Sequence, residues 1–391
     1  VSSITGLASF TATIDATYTT TYTVVGGTAP HTWSVRSSIG GTTTTIGAST
    51  GVLSFFAGNS KSGNIVIRVT DANGSFADKT IAVTTNPPLV IGASTGVTQT
   101  GSGGSATYSI AATFGKVRSA TFTTTTTGTA PIAFSVSSTP AAAGLVMVSN
   151  TGVLSTDVTT PAGTYTLTVS ATDAAFAVSS LTVTLIVNPA IVVSGSSTLE
   201  ATVGVVENSA AYSATGTGTG TKSFSLDGQP TGVTIGSASG IINVPISIKA
   251  GTYNFNVVAT DTNSATGVLP ITLTVNAAIV VSGDATLSAT AGFVKTTTYT
   301  ATNGTGDKTF SLTGAPTGVT INPTSGVLTV GITTVASLTP YSITIRATDI
   351  NGAIGTTSLA LTVNTAIVAS GPSTLAATAG TARATTAYSA T

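Results

Sequence analysis

The chain contains no cysteine, which excludes a disulfide framework, a thiol nucleophile and a thiolate metal site. It also has little charge. Asp, Glu, Lys and Arg make up 6% of the residues, against roughly 25% in an ordinary soluble domain. The twelve basic and twelve acidic side chains cancel, leaving no electrostatic footprint for nucleic acid or an anionic membrane. Partners must therefore be recognised by shape. A net charge near zero also weakens colloidal repulsion, which suits a protein built to assemble. One His, one Met and one Trp are present. Every apolar run is cut by Thr, Ser, Asn or Pro before the ~18 residues of a spanning helix are reached. Val1 opens the chain without Met or a signal peptide, so a targeting segment is expected to have been removed or to lie outside these residues.

What is abundant is Val, Ile, Thr, Ser, Ala and Gly. β-Branched residues suit half-buried pleated surfaces, and low charge argues against disorder. A repeat is visible at Val187-Asn188, Val275-Asn276 and Val363-Asn364, whose asparagines are 88 residues apart. Asn86 marks an earlier boundary, making the second unit 102 residues long. Its extra length is expected near the Thr-rich tract Thr121 to Thr127. The units are expected at 1–86, 87–188, 189–276 and 277–364, with 365–391 as a partial fifth.

Within a unit the alternation is that of strands. Tyr253, Phe255, Val257 and Ala259 point one way, while Asn254, Asn256 and Val258 point the other. The strand returns as Tyr165 to Ala171 and as Tyr341 to Ala347, each followed by Thr-Asp, and the first unit keeps Ile65, Ile67 and Val69. Helical periodicity is absent. The fold class is all-β: tandem immunoglobulin-like sandwiches of about seven strands each, joined end to end. Phe224, Tyr253, Phe255 and Val257 are expected inward, and Asn254, Asn256, Glu207 and Lys295 outward. Trp33 corresponds to Phe134, Phe224 and Phe310, a position expected in the core. Tyr165, Tyr253 and Tyr341 are expected to hydrogen-bond back to a neighbouring corner.

The run Pro316 to Leu328, followed by Tyr341 and Ala347-Thr348-Asp349, resembles the immunoglobulin-like and dystroglycan-type cadherin-like repeats of microbial surface proteins. Pro230 to Ile242 with Tyr253 and Ala259-Thr260-Asp261 is similar, while the first two units keep only Thr50 to Leu53 and Thr151 to Leu154 of the central motif. The resemblance implies an extracellular sandwich used for spacing or adhesion, without catalytic residues.

Candidate chemistry is thin. Gly47 to Gly51 and Gly92 to Gly96 match the nucleophile-elbow pattern, which needs a strand-turn-helix setting and a His partner, and His31 is the only His. No enzyme activity and no cofactor are expected. Asp71, Asn73, Asp261, Asn263, Asp349 and Asn351 are calcium candidates by residue type, yet calcium needs about six or more oxygens. The competing reading, hairpin turns in which Asp and Asn satisfy local backbone donors, fits better. Asn73-Gly-Ser75 and Asn303-Gly-Thr305 match the glycosylation acceptor pattern.

The joints Val187 to Ile191 and Val275 to Ile279 are too short to let neighbouring units swing. The expected role is a structural subunit of an extracellular filament, stalk or sheath. An adhesin or viral fibre shaft with a binding tip, and an accessory module of a secreted enzyme, are the alternatives. Tyr212 to Thr215 returns as Tyr388 to Thr391, and Ile367, Val368, Ala369, Ser370 and Gly371 repeat an opening strand that the first unit is expected to lack. Residues 365–391 would then either complete the first unit of a second copy or begin a further repeat of a longer chain. The longer chain fits better, because two strands exceed what one missing edge requires. Partners are thus copies of the chain or neighbouring repeats, with attached glycans.

Overall fold

The computed structural model describes residues 3–126, 128–216 and 218–391; Thr127, the last residue of the Thr-rich tract, lies outside them. Among the described residues the chain is strand and turn, with one short 3-10 turn at Gly103–Ser105. It packs as two compact units. The first comprises Val1–Val192, Ala214–Lys222 and Thr260–Gly267; the second comprises Val193–Ser213, Ser223–Ala259 and Val268–Thr391.

The first repeat shows the sandwich. One sheet runs in the order Ser9–Thr13, Phe76–Asn86, Gly63–Thr70, Thr32–Ser37; the facing sheet runs Thr17–Thr21, Val52–Phe56, Thr43–Ile46. Ser9–Thr13 is parallel to Phe76–Asn86, and its last pair is Thr13 opposite Asn86. The fourth repeat has the same order with Thr286–Thr290, Ile354–Asn364, Tyr341–Thr348 and Thr309–Thr313. Alternation decides burial, as period-two side chains require. Ile65, Ile67 and Val69 are fully buried, as are Ile343, Ile345 and Ala347. At roughly 25 cal/mol per Å² of apolar surface, each buried Ile or Val side chain stabilises its sandwich by about 1.5–3 kcal/mol. Trp33, Phe134 and Phe310 are buried in the core, and Phe224 at the same position is half-buried. The corner tyrosines donate to nearby carbonyls: Tyr165 to Pro161 at 2.9 Å, Tyr253 to Lys249 at 3.0 Å and Tyr341 to Val335 at 3.1 Å.

Several expectations are corrected. The first repeat does have its opening strand. Ser3–Thr5 pairs antiparallel with Thr23–Val25, as Val280–Ser282 pairs with Thr300–Thr302. Gly6 closes that strand flat against Tyr22, where a Cβ would lie 2.5 Å from the ring; Gly195, Gly283 and Gly371 face Tyr212, Tyr299 and Tyr388 in the same way. The apolar run that announces the strand elsewhere is replaced at the first repeat by Ser-Ser-Ile-Thr. The additional residues of the second repeat do not lie near Thr121 to Thr127. Twenty residues separate Ala93 from Thr113 where seven separate Gly283 from Thr290, and the excess forms the hairpin of Thr98–Thr100 with Thr107–Thr113.

The count of about seven strands holds when a strand that changes sheet partway is taken once: the first, third and fourth repeats each have two such divided strands, and the second adds the hairpin of Thr98–Thr100 with Thr107–Thr113. In the first, Ser3–Thr5 and Ser9–Thr13 are one such divided strand, Thr17–Thr21 and Thr23–Val25 the other. Glu207 and Asn256 are half-buried rather than exposed, as are Tyr253 and Phe224 on the inward side. Asn256 is drawn in by Asp227, to which it donates at 3.4 Å. Asn254 and Lys295 are exposed.

Candidate functional site

The Asp of each Thr-Asp or Val-Thr-Asp end sits at the turn between the two longest strands of its repeat. There a short carboxylate can bond its own backbone two and four residues on. Asp71 Oδ1 accepts from the amides of Asn73 and Ser75 at 3.0 and 2.9 Å. Asp173 does so from Ala175 and Ala177 at 2.9 and 2.8 Å, Asp261 from Asn263 and Ala265 at 2.8 and 2.9 Å, and Asp349 from Asn351 and Ala353 at 3.0 and 2.8 Å. Oδ2 faces a second loop of the same repeat. It accepts the amide of Thr28 at 3.2 Å, Thr129 at 2.8 Å, Thr219 at 2.7 Å and Thr305 at 2.8 Å at the four positions.

In three repeats that same oxygen also takes a threonine hydroxyl from the repeat before. Thr13 donates to Asp173, Thr113 to Asp261 at 2.5 Å and Thr202 to Asp349 at 2.7 Å. The donors are the last residues of the parallel strand pairs, opposite Asn86, Asn188 and Asn276. These asparagines close the contact. Their amides donate to the hydroxyls of Thr129, Thr219 and Thr305 at 3.1, 3.1 and 2.9 Å. Asn263 adds bonds to the Ala111 carbonyl at 2.9 Å and the Thr219 hydroxyl at 2.7 Å; Asn351 makes longer ones to Glu200 O and Thr305, both 3.3 Å. The first two joints lie within the first compact unit and the third within the second.

The electrostatics follow from the donors. Burial alone would push the Asp261 and Asp349 carboxyls up. The hydroxyl of Thr113 and the amides of Thr219, Ala265 and Asn263 outweigh it at Asp261, and the amide of Thr305 with the hydroxyl of Thr202 leads at Asp349, so both groups sit below the usual carboxylate range. Each is an anion held by hydrogen bonds, the kind worth about 1.5–3 kcal/mol apiece. Glu207 moves the other way, raised first by burial and then by the charge of Asp349.

The oxygens of Asp261 and Asp349 that would have ligated calcium face N–H and O–H donors. Among the described residues no group of three or more His, Asp or Glu could hold a metal ion. Asn73 is exposed, with its amide on the Thr28 hydroxyl at 3.0 Å. Asn303 is exposed too, but Thr305 of its motif is buried in the third joint. Gly47 to Gly51 is the turn between Thr43–Ile46 and Val52–Phe56, Gly51 N donating to Gly47 O at 2.9 Å, and Gly92 to Gly96 lies along and just past the strand Ile91–Thr95. His31 is half-buried. In the partial fifth unit Ile367 and Val368 are exposed. Ala369–Ser370 pairs with Ser389–Ala390, and Gly371 meets Tyr388, whose hydroxyl donates to Pro372 O at 3.1 Å. Ala369 and Ser370 thus pair within their own chain, and among the described residues Ser3–Thr5 occupies the opening-strand position of the first repeat.

Sequence reading found the Asp turns and missed their partners. The signal was present as Ala-Thr at 12–13, 112–113, 201–202 and 289–290, and as Gly-Thr at 27–28, 128–129, 218–219 and 304–305. In a chain this rich in Thr, those dipeptides do not stand out without the fold that brings them together.

No helix among the described residues is long and apolar enough to cross a membrane. No curated protein matches the chain. Among solved structures, Sidekick-1 immunoglobulin domains 1–5 are 12% identical over 92% of this chain and 80% of theirs, with a TM-score of 0.33. The titin I-band fragment I67–I69 is 13% identical over 66% of this chain and 95% of its own, with a TM-score of 0.31. Protocadherin gamma B2 extracellular cadherin domains 3–6 are 14% identical over 93% and 98%, with a TM-score of 0.24. Residues 189–276 match the family described as "Putative Ig domain", and with the repeated sheet order this makes the chain a tandem of immunoglobulin-like β-sandwiches.

Proposed function

We propose that the chain is a structural spacer of an extracellular filament, stalk or sheath, built from the repeats 1–86, 87–188, 189–276 and 277–364 with 365–391 opening a further one. The observation that carries this reading is the carboxylate joint, made three times from equivalent residues (Thr13–Asp173, Thr113–Asp261, Thr202–Asp349). A flexible tether needs no such contact. A contact repeated at every junction fixes how each repeat is seated on the next, which is what a load-bearing or length-setting element requires. The chemistry at these positions is hydrogen bonding between buried groups, which supports a mechanical role. Assembly proceeds by continuation of the chain through further repeats, and sugar attached at Asn73 or Asn303 would supply the solubility that a 6% charge content does not.

Electron microscopy of the native material, with denaturing electrophoresis of the same sample, tests the reading. Fibres or stalks and a band well above 38.0 kDa are expected. Dispersed particles that retain a saccharide or protein ligand through purification would overturn it in favour of a binding protein.

A further inference from the structure

The lower halves of the three joints are a Thr-Asn pair ending two parallel strands, and the fourth repeat carries the same pair. Thr290 lies opposite Asn364 in the register that places Thr202 opposite Asn276. The difference is coverage: Thr13, Thr113 and Thr202 are at most 1% exposed, whereas Thr290 is half-buried and Asn364 exposed. An apolar side chain beside the pair repeats the contrast. Val205, three residues beyond Thr202, packs against the core of the fourth repeat, while its counterpart Phe293 is 66% exposed. Phe293, Thr290 and Ile367 line one cavity of about 340 Å³ at this end.

We infer that the Thr290–Asn364 end of the fourth repeat is a docking site for the turn end of one more immunoglobulin-like repeat, the one that residues 365–391 open. The inference rests on the spacer reading and names the chemistry of its next contact. The occupant presents an Asp turn whose carboxylate takes the Thr290 hydroxyl, a threonine whose hydroxyl takes the Asn364 amide, and an apolar core edge that covers Phe293. Residues 365–391 support this source. Their paired ends Ala369–Ser370 and Ser389–Ala390, with Gly371 set against Tyr388, reproduce the opening of the fourth repeat, where Gly283 is set against Tyr299. That opening leads directly into the loop carrying Thr305. The interface is thus a continuation of one already made three times.

Hydrogen–deuterium exchange, read by mass spectrometry on the native material and on the isolated 391-residue chain, tests it. In the native material the peptide covering 288–294 should exchange about tenfold more slowly than in the isolated chain, matching the peptide covering 200–206. Equal, fast exchange of 288–294 in both samples would overturn the inference, and fibres in the same native sample would show that the spacer reading survives it. Slow exchange in the isolated chain that depends on concentration and disappears in Thr290→Val would also overturn it, assigning the site to a second copy.

Discussion

The joints centred on Asp173 and Asp261 share one plan and differ in the side chains of their turns, Ala174-Ala175-Phe176 in one and Thr262-Asn263-Ser264 in the other. Both carboxylates accept two amides of their own turn, a threonine amide from a neighbouring loop and a threonine hydroxyl from the preceding repeat. The third residue of the turn is Ala175 in one and Asn263 in the other. Asn263 reaches across to the Ala111 carbonyl at 2.9 Å; Ala175 has nothing to reach with. The carboxylate is therefore the common element of the joint, and the amide that looked like a calcium ligand is an accessory tie between repeats.

Removing the carboxylate should have the largest effect. Asp173→Ala and Asp261→Ala each leave three backbone N–H groups and a threonine hydroxyl without their acceptor, at a cost of about 3–5 kcal/mol in denaturant unfolding. The comparison sharpens here: Asp261→Ala keeps the Asn263 tie, so the second and third repeats should still unfold together, whereas Asp173→Ala should separate the first from the second. Next comes Thr113→Val, which deletes one charge-assisted bond without changing shape and should cost about 1.5–3 kcal/mol.

Acid acts on the same bonds. The Asp261 carboxyl is held below the usual range by its donors. Its contribution is complete above the unfolded value of about 3.9 and is lost as pH falls through the lower folded value. The Asp349 joint loses stability in the same direction, with an offset. Burial holds Glu207 high, so its ionisation weighs against the fold at neutral pH and that burden lifts on acidification. A pH series of urea unfolding from pH 6 to pH 2 should show the midpoint falling below about pH 4. At the small end, Ala175→Asn should gain about 0.5–1 kcal/mol by donating to the carbonyl of Thr11, which stands two residues before Thr13 as Ala111, the partner of Asn263, stands two before Thr113; no gain in unfolding midpoint would show that the first joint is seated differently.

The strands were legible because alternation needs only local sequence. Phe255, Val257 and Ala259 declare a buried face wherever they occur, and the 88-residue period of Asn188, Asn276 and Asn364 declares the repetition. What local sequence does not carry is pairing. The opening strand at Ser3–Thr5 was hidden because its apolar run is reduced to Ile4, and only its seat beside Val24 identifies it. The hairpin at Thr98–Thr113 was misplaced because a Thr-rich tract elsewhere had the look of an insertion. The joints were half visible. Asp261 and Asn263 were singled out, yet Thr113 is 148 positions away from Asp261, and no pattern within a single repeat connects them. Glu207 was placed in solvent because the repeats put Lys295 and Arg383 at its position, an argument that reads tolerance of either sign as exposure and overlooks the neighbouring Asp349.

The central claim, that a buried carboxylate couples one repeat to the next, is tested most directly by a double-mutant cycle across the third joint. Thr202→Val, Asp349→Asn and the double variant are compared with the parent chain by denaturant unfolding. The account predicts a coupling energy of about 1–3 kcal/mol, the double variant losing less than the two single losses together. Additive losses, with no coupling between Thr202 and Asp349, would contradict it.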